Sequence, residues 1–94
     1  MAEFHRTLAG TPWLKITCQE LSEYSENERP ICDECLRSLV GCDEIILLPI
    51  LDEAYCPKCG EERLARVHRY PEDIPIEESR TQFYKRYFKI REED

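Results

Sequence analysis

The chain has 94 residues, of which 41% are hydrophobic and 35% are charged, and its formal net charge at pH 7 is −7. A chain of this length forms one small domain with a modest core. It contains no run of about 18 apolar residues, so no membrane-spanning helix is expected. The negative charge disfavours a general nucleic-acid binder, because backbone phosphates would repel the protein as a whole.

The charge is unevenly distributed along the chain. Residues 1–62 hold 5 Lys and Arg against 13 Asp and Glu, a net charge of −8. Residues 63–91 hold 8 Lys and Arg against 4 Asp and Glu, a net charge of +4. The last three residues, 92–94, are all acidic. This division predicts one acidic side and one basic side.

The N-terminal segment MAEFHRTLAG lacks the basic and apolar regions of a signal peptide. We therefore expect a cytoplasmic protein with no membrane partner. Residues 1–30 are expected to form an N-terminal element and an acidic linker. Residues 1–10 show no clear period, which predicts loose order, and the polar stretch from Ser22 to Pro30 is typical of a linker.

A helix is predicted over residues 12–25. Thr11 and Pro12 have the form of a helix start, with Thr as the N-cap and Pro in the first helical position. Apolar residues then recur at helical spacing, at Leu14, Cys18 and Leu21. Residues 13–18 also suit a strand through their β-branched and aromatic content, and this alternative stays open.

Four of the six cysteines form two Cys-x-x-Cys pairs, Cys32 with Cys35 and Cys56 with Cys59. The 20 residues between the pairs are at the upper end of the spacing in four-thiolate zinc sites, about 15 to 20. Zn²⁺ prefers four tetrahedral ligands, and a shell of four thiolates leaves no position for water or substrate. The pattern therefore predicts one structural Zn²⁺ held by these four residues.

Other uses of the cysteines are less well supported. A redox dithiol lacks a βαβ context, ferredoxin clusters use other spacings, and two disulfides would need an oxidising compartment. Cys18 and Cys42 are expected to be buried small hydrophobic residues. A second metal site joining them to His5 or His68 is a weaker alternative, because none of these residues has ligand spacing.

The residues around and after the second pair predict a hairpin and two helices. A short β-hairpin is expected over residues 44–55, interrupted at Pro49. Residues 60–68 are good helix formers with acids first and bases later, and this helix should end before Pro71. After a turn, a second helix is predicted over residues 77–90. Its apolar stripe consists of Ile76, Phe83, Tyr84, Tyr87 and Phe88.

Residues 31–68 resemble a treble-clef zinc finger of the LIM-like kind. The similarity lies in Cys32-Asp-Glu-Cys35, the following Leu39, the acidic Asp43 after a glycine, and a tyrosine directly before Cys56-Pro-Lys-Cys59. The resemblance implies an α+β fold with a knuckle, a β-hairpin and a helix whose first turn carries the second pair. A zinc ribbon is the alternative, in which residues 63–68 would form a strand.

The resemblance divides the chain into three segments. These are the N-terminal element and linker (1–30), the zinc finger (31–70), and a C-terminal amphipathic helix with an acidic tail (71–94). As a whole the chain looks like a small bacterial or bacteriophage protein. Treble clefs serve many unrelated functions, so the resemblance implies a metal and a fold and leaves the function open.

No catalytic motif is present, neither a glycine-rich phosphate loop nor Gly-x-Ser-x-Gly nor His-Glu-x-x-His. We therefore expect a protein that is not an enzyme and acts as a protein–protein interaction or regulatory module. If chemistry exists, Cys18 or Cys42 with His68 is where to look. The expected partner surface is acidic and consists of Glu23, Glu26, Glu28, Asp33, Glu34, Asp43 and Glu44.

The alternative function is nucleic-acid binding, as in a transcription-associated zinc finger, through the basic and aromatic residues of segment 63–91. Exposed Tyr84, Tyr87 and Phe88 would stack on bases. On an amphipathic helix, however, these rings are more simply explained as core residues. The basic residues that would contact phosphates or a partner are Arg63, Arg66, Arg69, Arg80, Lys85, Arg86 and Lys89.

Overall fold

The computed structural model describes residues 2–26 and 29–90 of the chain. These residues form an α+β structure with a four-stranded antiparallel sheet and three α-helices. No helix among them is both long and apolar enough to cross a membrane. The elements in chain order are β1 (Glu3–Arg6), β2 (Pro12–Ile16), α1 (Cys18–Ser25), β3 (Ile45–Leu48), β4 (Glu53–Tyr55), α2 (Pro57–Arg66), a 3-10 helix (Pro71–Asp73) and α3 (Ile74–Tyr87).

The sheet has the strand order β1-β2-β3-β4. Its first two strands come from the predicted N-terminal element and its last two from the predicted zinc finger, so these segments share one sheet. The prediction of loose order for residues 1–10 was wrong, because Glu3 to Arg6 pair with Lys15 to Pro12 of β2. Hydrogen bonds to a neighbouring strand order this segment, and no local period in the sequence signals them.

The predicted helix over residues 12–25 was wrong in its first half. Residues 12–16 form a strand in which Leu14 and Ile16 are buried while Trp13 and Lys15 are partly exposed. This alternation is the period-2 pattern of a strand that is covered on one face. The helical spacing of Leu14 and Cys18 therefore had no structural meaning. The strand alternative is confirmed for residues 13–16, whereas Cys18 begins α1.

Helix α1 begins six residues later than the Thr11-Pro12 signal predicted, after Thr17. Thr17 Oγ1 accepts a hydrogen bond from Glu20 N (3.2 Å), and Glu20 Oε1 accepts one from Thr17 N (2.9 Å). This reciprocal arrangement is a capping box, which satisfies two backbone donors that the first helical turn leaves without partners. The helix ends at Ser25, and its C-cap residue Glu26 is in the left-handed region (φ 58°).

The hairpin and the helix after it lie where the sequence predicts them. Strands β3 and β4 fall within residues 44–55. They are joined by a turn that contains Pro49. Helix α2 ends at Arg66, before Pro71. Residues 63–66 are thus helical, whereas a zinc ribbon would require a strand there.

The two faces of the sheet pack against different helices. Residues in register share a face, so Phe4, Leu14 and Leu47 lie on one face, and Ile46 lies on the other with Tyr55. Helix α3 covers the first face, with Lys85 Nζ 4.0 Å from the centroid of the Phe4 ring. Helix α2 packs against β3 and β4 on the second face.

The aromatic stripe of α3 is only partly buried, in contrast to the prediction of a single core stripe. The buried residues of α3 are Glu77, Thr81 and Tyr84. Ile76, Phe83 and Tyr87 are 50%, 47% and 44% exposed. An ion pair with the buried Glu77 explains the rotation of the helix, since Arg69 Nε donates to Glu77 Oε1 at 2.8 Å.

Helix α3 also begins at Ile74, three residues before the predicted start at Glu77, with Pro75 in its first turn. Proline is tolerated there because the first turn leaves its backbone N–H groups without helical partners. The predicted acidic tail, residues 92–94, lies outside the described residues.

Gly60→Ala should destabilise the protein, against the usual preference of helices for alanine. A Cβ at Gly60 would lie 2.5 Å from Ile46 Cδ1 and 2.7 Å from Ile46 Cβ, so α2 would have to move away from β3. We expect a loss of about 1–3 kcal/mol in the free energy of unfolding, measured by chemical denaturation. Glu62→Ala, at an exposed position of the same helix, should change it by less than about 0.5 kcal/mol.

Candidate metal centre

The fold brings the two Cys-x-x-Cys pairs together. The Sγ atoms of Cys32, Cys35, Cys56 and Cys59 all lie within 4.8 Å of one another. Sγ atoms on a tetrahedral zinc ion, with bonds of about 2.3 Å, are separated by about 3.8 Å. Cys35 Sγ and Cys56 Sγ are 3.9 Å apart. The four thiols are therefore placed to hold one metal ion.

The first pair lies on a tight turn between two short extended segments. Cys32 N donates to Arg37 O and Leu36 N donates to Cys32 O, both at 2.9 Å. Leu36 is in the left-handed region (φ 63°), which reverses the chain directly after Cys35. Ile31 and Ser38 then form an isolated antiparallel bridge. This turn directs both sulfurs to the same point.

The second pair lies at the N-terminus of α2. Cys56 is the N-cap residue, and its Sγ accepts a hydrogen bond from Cys59 N at 3.5 Å. Pro57 occupies the first helical position, where its missing N–H costs nothing. The positive end of the helix dipole favours negatively charged thiolates at this position.

Two contacts attach the cysteine turn to the rest of the site. Asp33 exchanges hydrogen bonds with Ala54 of β4: Asp33 N donates to Ala54 O at 2.9 Å, and Ala54 N donates to Asp33 Oδ2 at 2.7 Å. Arg63 of α2 pairs with Glu34 at 2.7 Å. The turn, the hairpin and the helix are thus joined by polar contacts around the sulfurs.

The sulfurs influence one another electrostatically. Burial alone would raise the pKa of the Cys32 thiol, but hydrogen bonds from the backbone of Cys35, Cys56 and Glu34 outweigh it and lower the pKa to about 7. Burial, together with the neighbouring sulfurs, raises the pKa of Cys59 to about 12. One thiolate forms readily, and further negative charge beside it is unfavourable. A bound cation removes this repulsion and displaces the remaining protons.

The remaining cysteines and histidines lie elsewhere. Cys18 N donates to Cys42 O at 2.9 Å, and both side chains pack partly buried against the core. His5 stacks on Trp13 with ring centroids 4.5 Å apart, and His68 is exposed. Among the described residues, the cysteine quartet is the one cluster of His, Cys, Asp or Glu placed to hold a metal.

The predicted acidic surface is partly used inside the protein. Asp33 and Glu34 have the contacts described above, and Glu44 lies 3.9 Å from Lys15. Glu23, Glu26 and Asp43 are exposed. Glu28 lies outside the described residues.

Most of the predicted basic residues are also engaged within the protein. Arg63 and Arg69 form ion pairs with Glu34 and Glu77. Arg66 donates to the carbonyl of Glu62 in its own helix. Arg80 donates to the carbonyls of Pro49 and Ile50. Lys85 lies over the Phe4 ring. Arg86 and Lys89 are exposed.

Two linked hydrogen bonds that the sequence did not indicate connect three parts of the chain that are distant in sequence. Tyr24 of α1 donates to the hydroxyl of Tyr84 in α3 at 3.4 Å, and Tyr84 donates to Asp52 Oδ1 in the β3–β4 turn. No local pattern links residues this far apart in the sequence. The buried position of Tyr84 was predictable from its place on the apolar stripe, and its hydrogen bonds were not.

Comparison of the chain with protein-family models, with curated proteins and with solved structures gives no match. The treble-clef type therefore stays a prediction from the residues.

Asp33→Ala should destabilise the protein by about 1–3 kcal/mol, because it leaves the Ala54 N–H without its acceptor. Asp33→Asn keeps an acceptor oxygen, so its free energy of unfolding should fall clearly less than that of Asp33→Ala. The free energies of unfolding of both variants, compared with Asp43→Ala at an exposed position, test this role. Equal losses for Asp33→Ala and Asp33→Asn would show that the charge, and not the acceptor, is what Asp33 contributes.

Proposed function

We propose that this chain is a zinc-binding protein of the treble-clef type in which one Zn²⁺ is structural. The cluster of four sulfurs within 4.8 Å carries the proposal. The order of the elements supports the treble clef over the ribbon: a cysteine turn, a hairpin, and a helix whose first turn holds Cys56 and Cys59. All four ligands come from the protein, so the ion would have no open position for catalysis.

The structural role follows from the size of the chain. A domain of this length buries a limited core, and small domains often depend on a metal for stability. Structural zinc contributes roughly 10 kcal/mol or more to folding. Here the ion would join the cysteine turn to the start of α2. Free thiols of this kind persist in a reducing compartment, and we propose the cytoplasm.

We further propose that the protein is not an enzyme and binds another protein. Exposed apolar side chains support this function: Leu36 and Val40 near the cysteine turn are 67% and 59% exposed, and Phe83 and Tyr87 of α3 are 47% and 44% exposed. Exposed apolar groups of this size, grouped on a surface, are typical of protein interfaces. The exposed acidic residues Glu23 and Glu26 would form part of the rim.

Nucleic-acid binding is the second candidate and has weaker support. Five of its seven predicted basic residues are engaged with other groups of the protein, as described above. Tyr84 is buried and cannot stack on a base. Arg86, Lys89 and the exposed ring of Tyr87 remain for such a role.

Elemental analysis of the purified protein should find one zinc per chain, and a chelator should lower the thermal midpoint markedly. Cys59→Ser should lose the metal and unfold under the same conditions. Cys18→Ser and Cys42→Ser are matched controls, because these thiols lie outside the quartet. They should retain one zinc and melt close to the wild type. A melting curve that ignores the chelator, or zinc loss in a control variant alone, would contradict the proposed ligand set.

Titration of labelled single-stranded and double-stranded oligonucleotides should give no binding at about 50 mM salt, measured by fluorescence anisotropy. The acidic net charge and the internal use of the basic side chains are the reasons. Binding that weakens linearly in log K with log salt, and that Arg86→Ala or Lys89→Ala reduces, would instead favour the nucleic-acid function.

A further inference from the structure

Five aromatic rings form a cluster where α1 meets α3. Tyr24 lies at its centre, with ring centroids 5.1 Å from Tyr87, 5.4 Å from Tyr84, 5.9 Å from Phe88 and 6.2 Å from Phe83. Tyr84 is buried, whereas Phe83 and Tyr87 are nearly half exposed. The cluster therefore has a fixed inner part and an apolar outer surface.

A cleft of about 270 Å³ opens beside Tyr24. Its apolar walls come from α1, β3, β4 and the segment before the cysteine turn. We name it the Tyr24 cleft. Its volume falls below the range of about 300–1,000 Å³ that is typical of small-molecule sites, so it suits a single long side chain better than a whole ligand. Its lining residues are Leu21, Tyr24, Ser25, Pro30, Ile31, Asp33, Leu47, Asp52 and Ala54.

The charged groups that line the Tyr24 cleft are both acidic, Asp33 and Asp52. One oxygen of each accepts an internal hydrogen bond, from Ala54 N and from the Tyr84 hydroxyl respectively. In the described part of the chain, the second oxygen of each is left for a ligand. The nearby Arg80 donates to the carbonyls of Pro49 and Ile50 at 3.3 and 2.7 Å, which holds its guanidinium outside the lining.

The wall of the cleft is preformed. Asp52 is in the left-handed region (φ 53°), and its N–H donates to Leu48 O at 2.8 Å and Pro49 O at 3.2 Å. The hydroxyl of Tyr84 connects Asp52 to Tyr24 through two hydrogen bonds. Burial raises the pKa of Tyr24, and the Asp52 carboxylate raises it further against the opposing effect of Arg80. The Tyr24 phenol therefore stays neutral at the edge of the cleft.

We propose that this surface binds an extended segment of a partner protein, with an arginine side chain in the Tyr24 cleft and a neighbouring large apolar side chain on Phe83 and Tyr87. A planar guanidinium pairs with carboxylates and stacks on aromatic rings. Two carboxylates beside a tyrosine ring match both properties. The apolar contact uses exposed rings that the fold itself leaves uncovered.

This assignment rests on the proposed protein-binding function and adds the surface and the partner chemistry. Charge complementarity supports it, since a chain of net charge −7 attracts basic segments. A second copy of the chain would bring its own negative charge and is a less favourable occupant.

The test uses a displayed library of random twelve-residue peptides, selected on the zinc-loaded full chain. We expect enriched peptides to carry arginine within a few positions of an aromatic or large aliphatic residue. Anisotropy titrations of one labelled peptide then compare variants. Asp52→Asn keeps the turn, because asparagine tolerates the left-handed region, and keeps an acceptor for Tyr84. It should weaken binding about tenfold by removing the charge.

The matched control for Asp52→Asn is Asp43→Asn, and the control for Phe83→Ala is Ile76→Ala, at the other end of α3. Both controls should bind as the wild type does, whereas Phe83→Ala should weaken binding. Replacing the peptide's arginine by lysine should also weaken it, because lysine lacks the planar fork.

The proposal is overturned by enriched peptides without a basic residue, by equal binding of Asp52→Asn and Asp43→Asn, or by a selection that enriches no peptide. Concentration-dependent dimerisation that Phe83→Ala abolishes, with no peptide binding, would assign the surface to a second copy and also overturn it. Peptides whose binding depends on Leu36 and Val40 would refute this docking site and leave the protein-binding function standing. Zinc content is measured separately, so a failure of the metal centre is recognised independently.

Discussion

The requirement that four sulfurs meet at one point constrains this fold more than any single packing contact. Cys32 and Cys35 come from a turn, whereas Cys56 and Cys59 come from the start of α2, and 20 residues separate the pairs. The intervening chain has to return to its origin, and the β3–β4 hairpin brings it back. Close packing of Gly60 against Ile46 places α2 on the sheet, and the double hydrogen bond between Asp33 and Ala54 places the turn. Each contact keeps one pair of sulfurs in reach of the other.

An ion pair with one buried member has a comparable role on the opposite face of the sheet. Glu77 is 2% exposed and pairs with Arg69, which also reaches Glu78 at 3.0 Å. A pair with one buried member contributes little net stability, because the lost hydration of the Glu77 carboxylate offsets much of the attraction. Its geometry, however, determines which side of α3 faces the core. As a result Thr81 and Tyr84 point inward, and Phe83 and Tyr87 are left on the surface beside Tyr24.

The sequence was sufficient for the features that depend on neighbouring residues. The spacing of the cysteines predicted the cluster, and the propensities after Cys59 predicted α2. Prediction from the sequence failed where contacts between distant parts of the chain determine the structure. Residues 3–6 form a strand because β2 lies beside them. Residues 12–16 form a strand between β1 and β3, despite the helical spacing of their apolar residues. The orientation of α3 depends on the Arg69–Glu77 pair, which an apolar pattern does not reveal, since the pattern treats a buried carboxylate as a surface residue.

Asp33 belongs to two sites at once, and this has a thermodynamic consequence. It lies between Cys32 and Cys35 of the cysteine cluster, and it also lines the Tyr24 cleft, where Ala54 is its hydrogen-bond partner. Any ordering of the turn by a metal also orders one wall of the cleft. Linkage then requires that the two binding free energies be coupled, and that the coupling be equal in both directions. A partner that needs the ordered cleft would hold the metal more tightly in the protein, and loss of the metal would release the partner.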